Sequence, residues 1–193
     1  MLLDRVLALS ITFFFLPLMV AVAIAIKLEN PGPVFFRQTR IGAQGRPFGM
    51  VKFRSMVTNA EALLADLAEE SDGNGILFKM KDDPRVTKVG KFIRRFSIDE
   101  LPQLINVVRG EMSLIGPRPP LPSEVAEYES DAVRRLHVRP GMTGLWQVSG
   151  RSDLSWEESL RLDLWYVDNW TPILDLQILV RTFKAVLRGS GAY

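Results

Sequence analysis

Cysteine is absent from this 193-residue chain, which excludes a disulfide scaffold and a cysteine-ligated zinc site. Histidine occurs once, at His137. Flanked by Arg134, Arg135 and Arg139, it reads as a structural residue more readily than as a general base. Neither sign of charge dominates: 24 Lys and Arg stand against 22 Asp and Glu, for a net +2. That balance gives no reason to expect a nucleic-acid partner. The chain has no P-loop, no G-x-G-x-x-G, no H-E-x-x-H and no serine-hydrolase elbow, and it lacks internal repeats and low-complexity segments. Disorder is excluded in turn by a hydrophobic content of 47%. The length fits one compact domain, or one domain with an anchor.

What the chain does have is one long apolar run. Val6 to Ile26 contains no charged residue. As a helix rising about 1.5 Å per residue it covers roughly 30 Å, the thickness of a hydrocarbon core. The run is long for a cleaved signal and no small-residue cleavage site follows it. Two readings remain: a straight spanning helix, and a helix broken at Pro17 that enters and leaves on one face. The second is favoured. Pro17 frees the carbonyl of Phe13 and kinks a helix, and Ser10 and Thr12 stand ready to satisfy loosened backbone. Only Arg5 is basic before the run. After it come Lys27, Arg37, Arg40, Arg46, Lys52 and Arg54, so the following domain is expected in the cytoplasm.

Asn30-Pro31-Gly32-Pro33 ends the apolar segment. Residues 34 to 56 alternate roughly between apolar and polar around the glycines from 42 to 49, which predicts a small β-hairpin with a loose loop. A helix capped by Asn59 is expected over 60–70, and a short basic helix over 84–96. The next helix is expected to begin at Ser97, because Ser97 and Glu100 have capping-box spacing and Leu101, Leu104, Ile105 and Val108 form an apolar stripe. Gly116 to Pro120 reads as a stiff extended loop, Ser123 to Arg135 as a polar surface helix, and 139–151 as a glycine-punctuated loop. A second capping box, Ser155 with Glu158, opens a helix to Val167. The final helix, from about Ile173 to Leu187, is amphipathic, with Trp165 and Trp170 just before it. Lying on a membrane surface and packing on a core weigh equally for it.

Asp99 and Glu100 are adjacent carboxylates at a predicted helix start, where free N–H groups favour negative charge. A carboxylate kept ionised is a nucleophile for phosphorus. The pair taken alone is also what an ordinary helix start shows. Its surroundings are cationic: Lys88, Lys91, Arg94 and Arg95 precede it, Arg109 follows it, and Arg118 sits among prolines. Lys52 and Arg54 lie in the hairpin near the membrane exit. A nucleophile among cations beside a membrane segment fits a phosphate-bearing lipid substrate. Two rivals stand beside this reading. One is a basic anchored module that binds anionic lipid or a partner without chemistry. The other is a lipid-phosphate phosphatase working through an aspartyl phosphate.

These motifs are familiar. PGPVFFRQTRIG, VKFRSM, DDPRVTKVGKFIRR, SIDELPQLINVVRGEMSLIGPRP, RPGMTGLWQVSGR and the closing DLQILVRTFKAVLRGSGAY together cover nearly the whole chain. On them the sequence resembles the bacterial sugar transferase family, the monotopic phosphoglycosyl transferases. The resemblance implies a mostly α fold with a small β-hairpin, a mixed α/β monotopic membrane protein. Residues 1–29 would form a re-entrant, proline-broken helix, and 30–193 a cytoplasmic catalytic domain carrying amphipathic interfacial helices. The bacterial inner membrane is the expected location.

The implied reaction transfers a sugar-1-phosphate from a UDP-sugar, glucose or galactose favoured, to undecaprenyl phosphate, as the first membrane step of exopolysaccharide or other glycan assembly. UMP is released through an aspartyl phospho-sugar intermediate. Asp99 is the implied nucleophile, with Glu100 assisting. Both are implied ligands of Mg2+. Lys52, Arg94, Arg118 and Arg151 match family positions that hold phosphates. Membrane lipids are expected partners and a homodimer is open. Longer members place further transmembrane helices and a cytoplasmic domain ahead of this unit. The family's helix breaks at a Ser-Pro pair, where this chain has Leu16-Pro17.

Overall fold

The computed structural model describes residues 2–67, 83–128, 131–150 and 154–188. Helix α1 runs from Leu2 to Glu29 without interruption through Pro17. It is the one helix among the described residues long and apolar enough to cross a membrane. Ser10 and Thr12 do bond back into it, but to the carbonyls of Val6 and Ala8 at 3.0 and 2.7 Å. They lie one turn too early to reach the carbonyl of Phe13 that Pro17 frees.

One stripe of α1 packs inward. Ala8, Met19, Val22 and Ile26 are buried, with Ile11 and Ala23 partly so, at the three-and-four spacing of a helix face. The opposite side leaves Phe13 82% and Phe14 75% exposed. An apolar surface of that extent beside a folded domain needs a nonaqueous neighbour. Both ends of α1 are tied to the same globular unit. At the start, the Ser113 hydroxyl donates to the Asp4 carboxylate at 3.1 Å. At the end, the Glu29 carboxylate accepts the backbone N–H groups of Lys88 and Val89 at 2.7 and 3.0 Å.

Strands β1 (Phe35–Ile41) and β2 (Pro47–Phe53) form the expected hairpin, with Phe35 opposite Phe53 and Ile41 opposite Pro47. The loop is tight, confined to 42–46, and Gly49 lies within β2. Helix α2 is described over Ala60–Leu67, and the Asn59 carbonyl accepts the Leu63 N–H. The remainder of the helix expected over 60–70 lies outside the described residues.

Helix α3 (Lys88–Arg95) begins at Thr87, whose hydroxyl accepts the Gly90 N–H at 2.9 Å. The expected capping box at Ser97 does not form. The Ser97 N–H is already taken by the Arg94 carbonyl, and Ser97 adopts a left-handed conformation, φ 54°. The chain then passes through a 3-10 turn, Ile98–Gln103, into helix α4 (Leu104–Arg109).

Strand β3 (Ser113–Ile115) pairs in parallel with β4 (Gly141–Thr143), so the segment expected as an open loop carries a strand and then a short helix, α6 (Leu145–Ser149). The polar surface helix expected over 123–135 is also corrected. It divides into α5 (Pro122–Ala126) and a 3-10 segment, Ala132–His137. Two of its charged residues, Glu124 and Arg135, are buried and paired, which an all-polar pattern cannot disclose.

Helix α7 (Trp156–Asp168) has its capping box intact, with Ser155 and Glu158 bonded both ways. Helix α8 (Pro172–Arg188) buries Ile178 and exposes Ile173, Leu176, Val180, Phe183 and Leu187 in a single outer stripe. The fold is thus mostly helical with two small sheets. Leu101 joins the cluster around Leu104 and Met50 to the one around Phe53 and Ile93. Ile115 joins the first of these to the cluster of Leu145, Tyr166 and Ile178.

Candidate active site

The 3-10 turn after α3 carries Asp99 and Glu100 side by side and packs against β2. Asp99 is buried, 9% exposed, while Glu100 is half-buried. Because Ser97 offers no free N–H, the Glu100 side chain is released from capping. It reaches across to β2 and takes the Lys52 ammonium at 2.6 Å. Lys52 is placed by the strand register, opposite Phe36.

Burial raises the Asp99 pKa to about 6, and the neighbouring Glu100 charge pushes the same way; Lys52 and Arg94 pull it back down. A carboxyl at that value is mostly ionised at neutral pH and more basic than an ordinary aspartate. Arg94 stands on the last turn of α3, its Nε donating to the Ser55 hydroxyl at 2.9 Å. Its pKa is lowered, first by burial, with Asp99 and Asp83 acting against that loss.

Arg118 lies on the loop after β3, and its Nη1 donates to the buried Glu124 carboxylate at 3.2 Å. Arg40 feels the charges of Arg118, Glu124 and Glu100 together. Its pKa is lowered to about 10, chiefly by burial. On the far side of the loop, Arg135 forms a buried pair with Asp163 and also donates to the Arg118 carbonyl at 3.2 Å. Burial raises the Asp163 pKa to about 6, against the attraction of Arg135.

The structure therefore assembles Asp99, Glu100, Lys52 and Arg94 in one constellation, while Arg118 is paired with Glu124. Arg151 lies outside the described residues. Arg54 serves elsewhere: its guanidinium donates to the Asn30 and Pro31 carbonyls and closes the end of α1. His137 lines a cavity of about 400 Å³ with Asp4, Ser113 and Arg139, and Lys52, Arg94, Asp99, Glu100 and Arg118 are not among its lining residues.

Sequence reasoning missed Arg40, Glu124, Ser55 and the Arg135–Asp163 pair. Arg40 had counted only as one of the cations after the apolar run. No period or spacing marks a polar residue whose partner is 79 positions away, as the Pro119 carbonyl is from Arg40.

An ionised, partly desolvated carboxylate beside the cations Lys52 and Arg94 can attack a phosphorus centre and have charge offset around it. Residues 1–189 match the bacterial sugar transferase family. The chain belongs to that family. It is 48% identical over 165 residues to the galactosyl transferase CpsE of Streptococcus agalactiae, covering 85% of this chain and 37% of that protein. Identity is 45% over 199 residues to the undecaprenyl-phosphate galactose phosphotransferase of Salmonella typhimurium, with 98% and 40% covered. It is 41% over 199 residues to the UDP-glucose:undecaprenyl-phosphate glucose-1-phosphate transferase of Caulobacter vibrioides, with 99% and 70% covered. The chain spans about two fifths of the length of the first two of these relatives.

Proposed function

We propose that this member of the bacterial sugar transferase family is a phosphoglycosyl transferase. It moves a hexose-1-phosphate from a UDP-sugar to undecaprenyl phosphate, the reaction named for its Caulobacter relative, with undecaprenyl phosphate named for the Salmonella one as well. Glucose and galactose are the sugars those names favour. The observation that carries the reading is a buried aspartate, raised toward neutrality, held among Lys52, Arg94 and Glu100 on a turn that packs beside a membrane-grade helix.

The chemistry divides into two displacements. An Asp99 oxygen forms a bond to the β-phosphorus of the UDP-sugar. The bond from that phosphorus to the oxygen bridging the two phosphates breaks, and UMP leaves with the electron pair. The sugar-phosphate is then held on Asp99 as an acyl phosphate. An oxygen of undecaprenyl phosphate attacks the same phosphorus, the acyl phosphate bond breaks, and the Asp99 carboxylate is regenerated. Lys52 and Arg94 offset charge beside the nucleophile, and Arg118 takes the outer phosphate.

Mg2+ suits the site. It binds through one or two carboxylates plus substrate phosphates and does not need a full protein cage, and no group of three or more acidic or histidine ligands exists among the described residues. Asp99 and Glu100 would hold it, where a cation relieves the repulsion between them, and it would supply charge neutralisation at the diphosphate.

A one-sided membrane arrangement is supported by the two ties of α1 to the domain, at Asp4 and at Glu29. A helix of 28 residues measures about 42 Å, so spanning a bilayer would carry one of those ties away from the domain. With the domain proposed on the cytoplasmic face of the inner membrane, from the basic residues that follow the apolar run, the outer stripe of α8 with Trp165 and Trp170 would rest at the interface.

The decisive experiment incubates the full protein with labelled UDP-glucose or UDP-galactose, Mg2+ and undecaprenyl phosphate. Transfer predicts labelled lipid and stoichiometric UMP, both lost in Asp99→Asn. Normal lipid labelling by a folded Asp99→Asn variant refutes the nucleophile.

A further inference from the structure

The segment from Gly116 to Pro120 contains three prolines, at 117, 119 and 120. None has a backbone N–H to donate; of the two amides the stretch retains, that of Gly116 donates to the Thr143 carbonyl at 2.9 Å. The stretch's carbonyls are held from outside, one by one. Pro117 O accepts the Gly141 N–H at 2.8 Å and Pro120 O accepts the Ile41 N–H at 3.0 Å. The two carbonyls between them go to guanidinium groups: Arg118 O to Arg135 Nη2 at 3.2 Å and Pro119 O to Arg40 Nη1 at 3.0 Å. Arg40 is itself aimed. Its Nε and Nη2 both donate to Gln38 Oε1, at 3.1 and 2.7 Å, from two residues back on β1.

A buried arginine bonded only to the uncharged oxygens of Gln38 and a peptide needs a reason, because desolvating a guanidinium is costly and an uncharged donor would serve a carbonyl as well. The reason lies in the next residue. The Arg118 side chain leaves a backbone pinned on either side of its own peptide, and Glu124 holds its guanidinium from one edge. With backbone and one edge fixed, its remaining donors point in a single direction, as a fork meeting a phosphate requires.

We propose that Arg40, oriented by Gln38, is a positioning residue for the reaction. It fixes the Pro119 peptide, and through it holds the Arg118 guanidinium toward the diphosphate of the nucleotide sugar. This rests on the reading of Arg118 as a phosphate-binding group. Arg40 makes no contact with substrate in this scheme. Its positive charge adds to the field over the diphosphate, but its geometric effect passes through Arg118.

The test is a double-mutant cycle on kcat/KM for the UDP-sugar in the full protein, with melting temperature measured in parallel. Arg118→Met is expected to lower kcat/KM on the order of a hundredfold, and Arg40→Met about tenfold. Arg40→Lys, which keeps a donor and the charge, should recover most of the loss. In the Arg118→Met background, Arg40→Met should cost less than about twofold, because the group it positions is gone. Gln38→Leu, on a half-buried strand position, serves if Arg40→Met fails to fold. It should cost about threefold alone and nothing detectable beside Arg118→Met. Equal losses in both backgrounds overturn the positioning role and leave the proposed function intact. An Arg118→Met variant with unchanged kcat/KM removes the phosphate-binding reading and this inference together.

Discussion

Asp99 differs from its neighbour in what surrounds it. Glu100 reaches a cation directly at 2.6 Å, whereas Asp99 is buried with charges of both signs acting on it from nearby. Burial, the larger effect, leaves the proposed nucleophile with a pKa raised to about 6. The first half-reaction, followed by UMP release, should therefore lose rate below about pH 6, tenfold per further pH unit. Neighbouring charges set where that limb falls. Lys52→Met removes a cation that lowers the Asp99 pKa, so its acid limb should move to higher pH. Glu100→Gln removes an anion that raises it, so its limb should move lower. Stopped-flow or quenched UMP release across pH 4.5 to 8 reads both displacements as well as the rate losses expected from altered phosphate contacts. Limbs that stay fixed in both variants would assign the titration to another group.

At the scale of elements, the site depends on how the turn bearing Asp99 is held to the hairpin bearing Lys52. Asn106, fully buried on α4, supplies the fastening. Its side-chain oxygen accepts the Val51 N–H at 3.1 Å, and its amide nitrogen donates to the Gly49 carbonyl at 2.8 Å and to Glu111 at 2.7 Å. Asn106→Leu strands a buried strand donor and acceptor, for which we expect a loss of about 2–4 kcal/mol in folding stability, read by denaturant melts in micelles. Gly90 makes a second fastening. A Cβ there would stand 2.0 Å from the Ser55 carbonyl oxygen, so Gly90→Ala should push α3, and with it Arg94, away from the hairpin. Rotating Arg94 out of its bond to Ser55 should depress turnover more than the accompanying fall in melting temperature explains.

For the whole molecule, α1 is both candidate anchor and part of the core. Its inner stripe completes two of the three apolar clusters, so deleting it should unfold the catalytic domain rather than release it as a soluble enzyme. The ties at Asp4 and Glu29 make a topological prediction as well. The chain has no native cysteine, so single cysteines report cleanly. Leu3→Cys and Ser123→Cys should react with an impermeant maleimide from the same side of sealed vesicles. Labelling from opposite sides would establish a straight spanning helix and detach Asp4 from Ser113.

Much of this was legible along the chain because it is local. The apolar run, the hairpin alternation, the Ser155–Glu158 box and the neighbouring carboxylates each involve residues a few positions apart, where period and spacing carry the physics. Even the family could be read this way, since its motifs are contiguous. Ser97 marks the limit. Its capping-box spacing was correct, yet an earlier carbonyl took its N–H, and the Glu100 side chain instead pairs with Lys52, 48 residues away. Arg40 and Arg135 show the same limit from the other side. Surface helices and topogenic patches are where isolated cations usually belong, and burial against a proline loop depends on partners brought together only by packing. The sequence by itself determined the long apolar helix, the hairpin and the adjacency of Asp99 and Glu100. Tertiary structure decided which cations face that pair, because a charge acts across space and not along the chain.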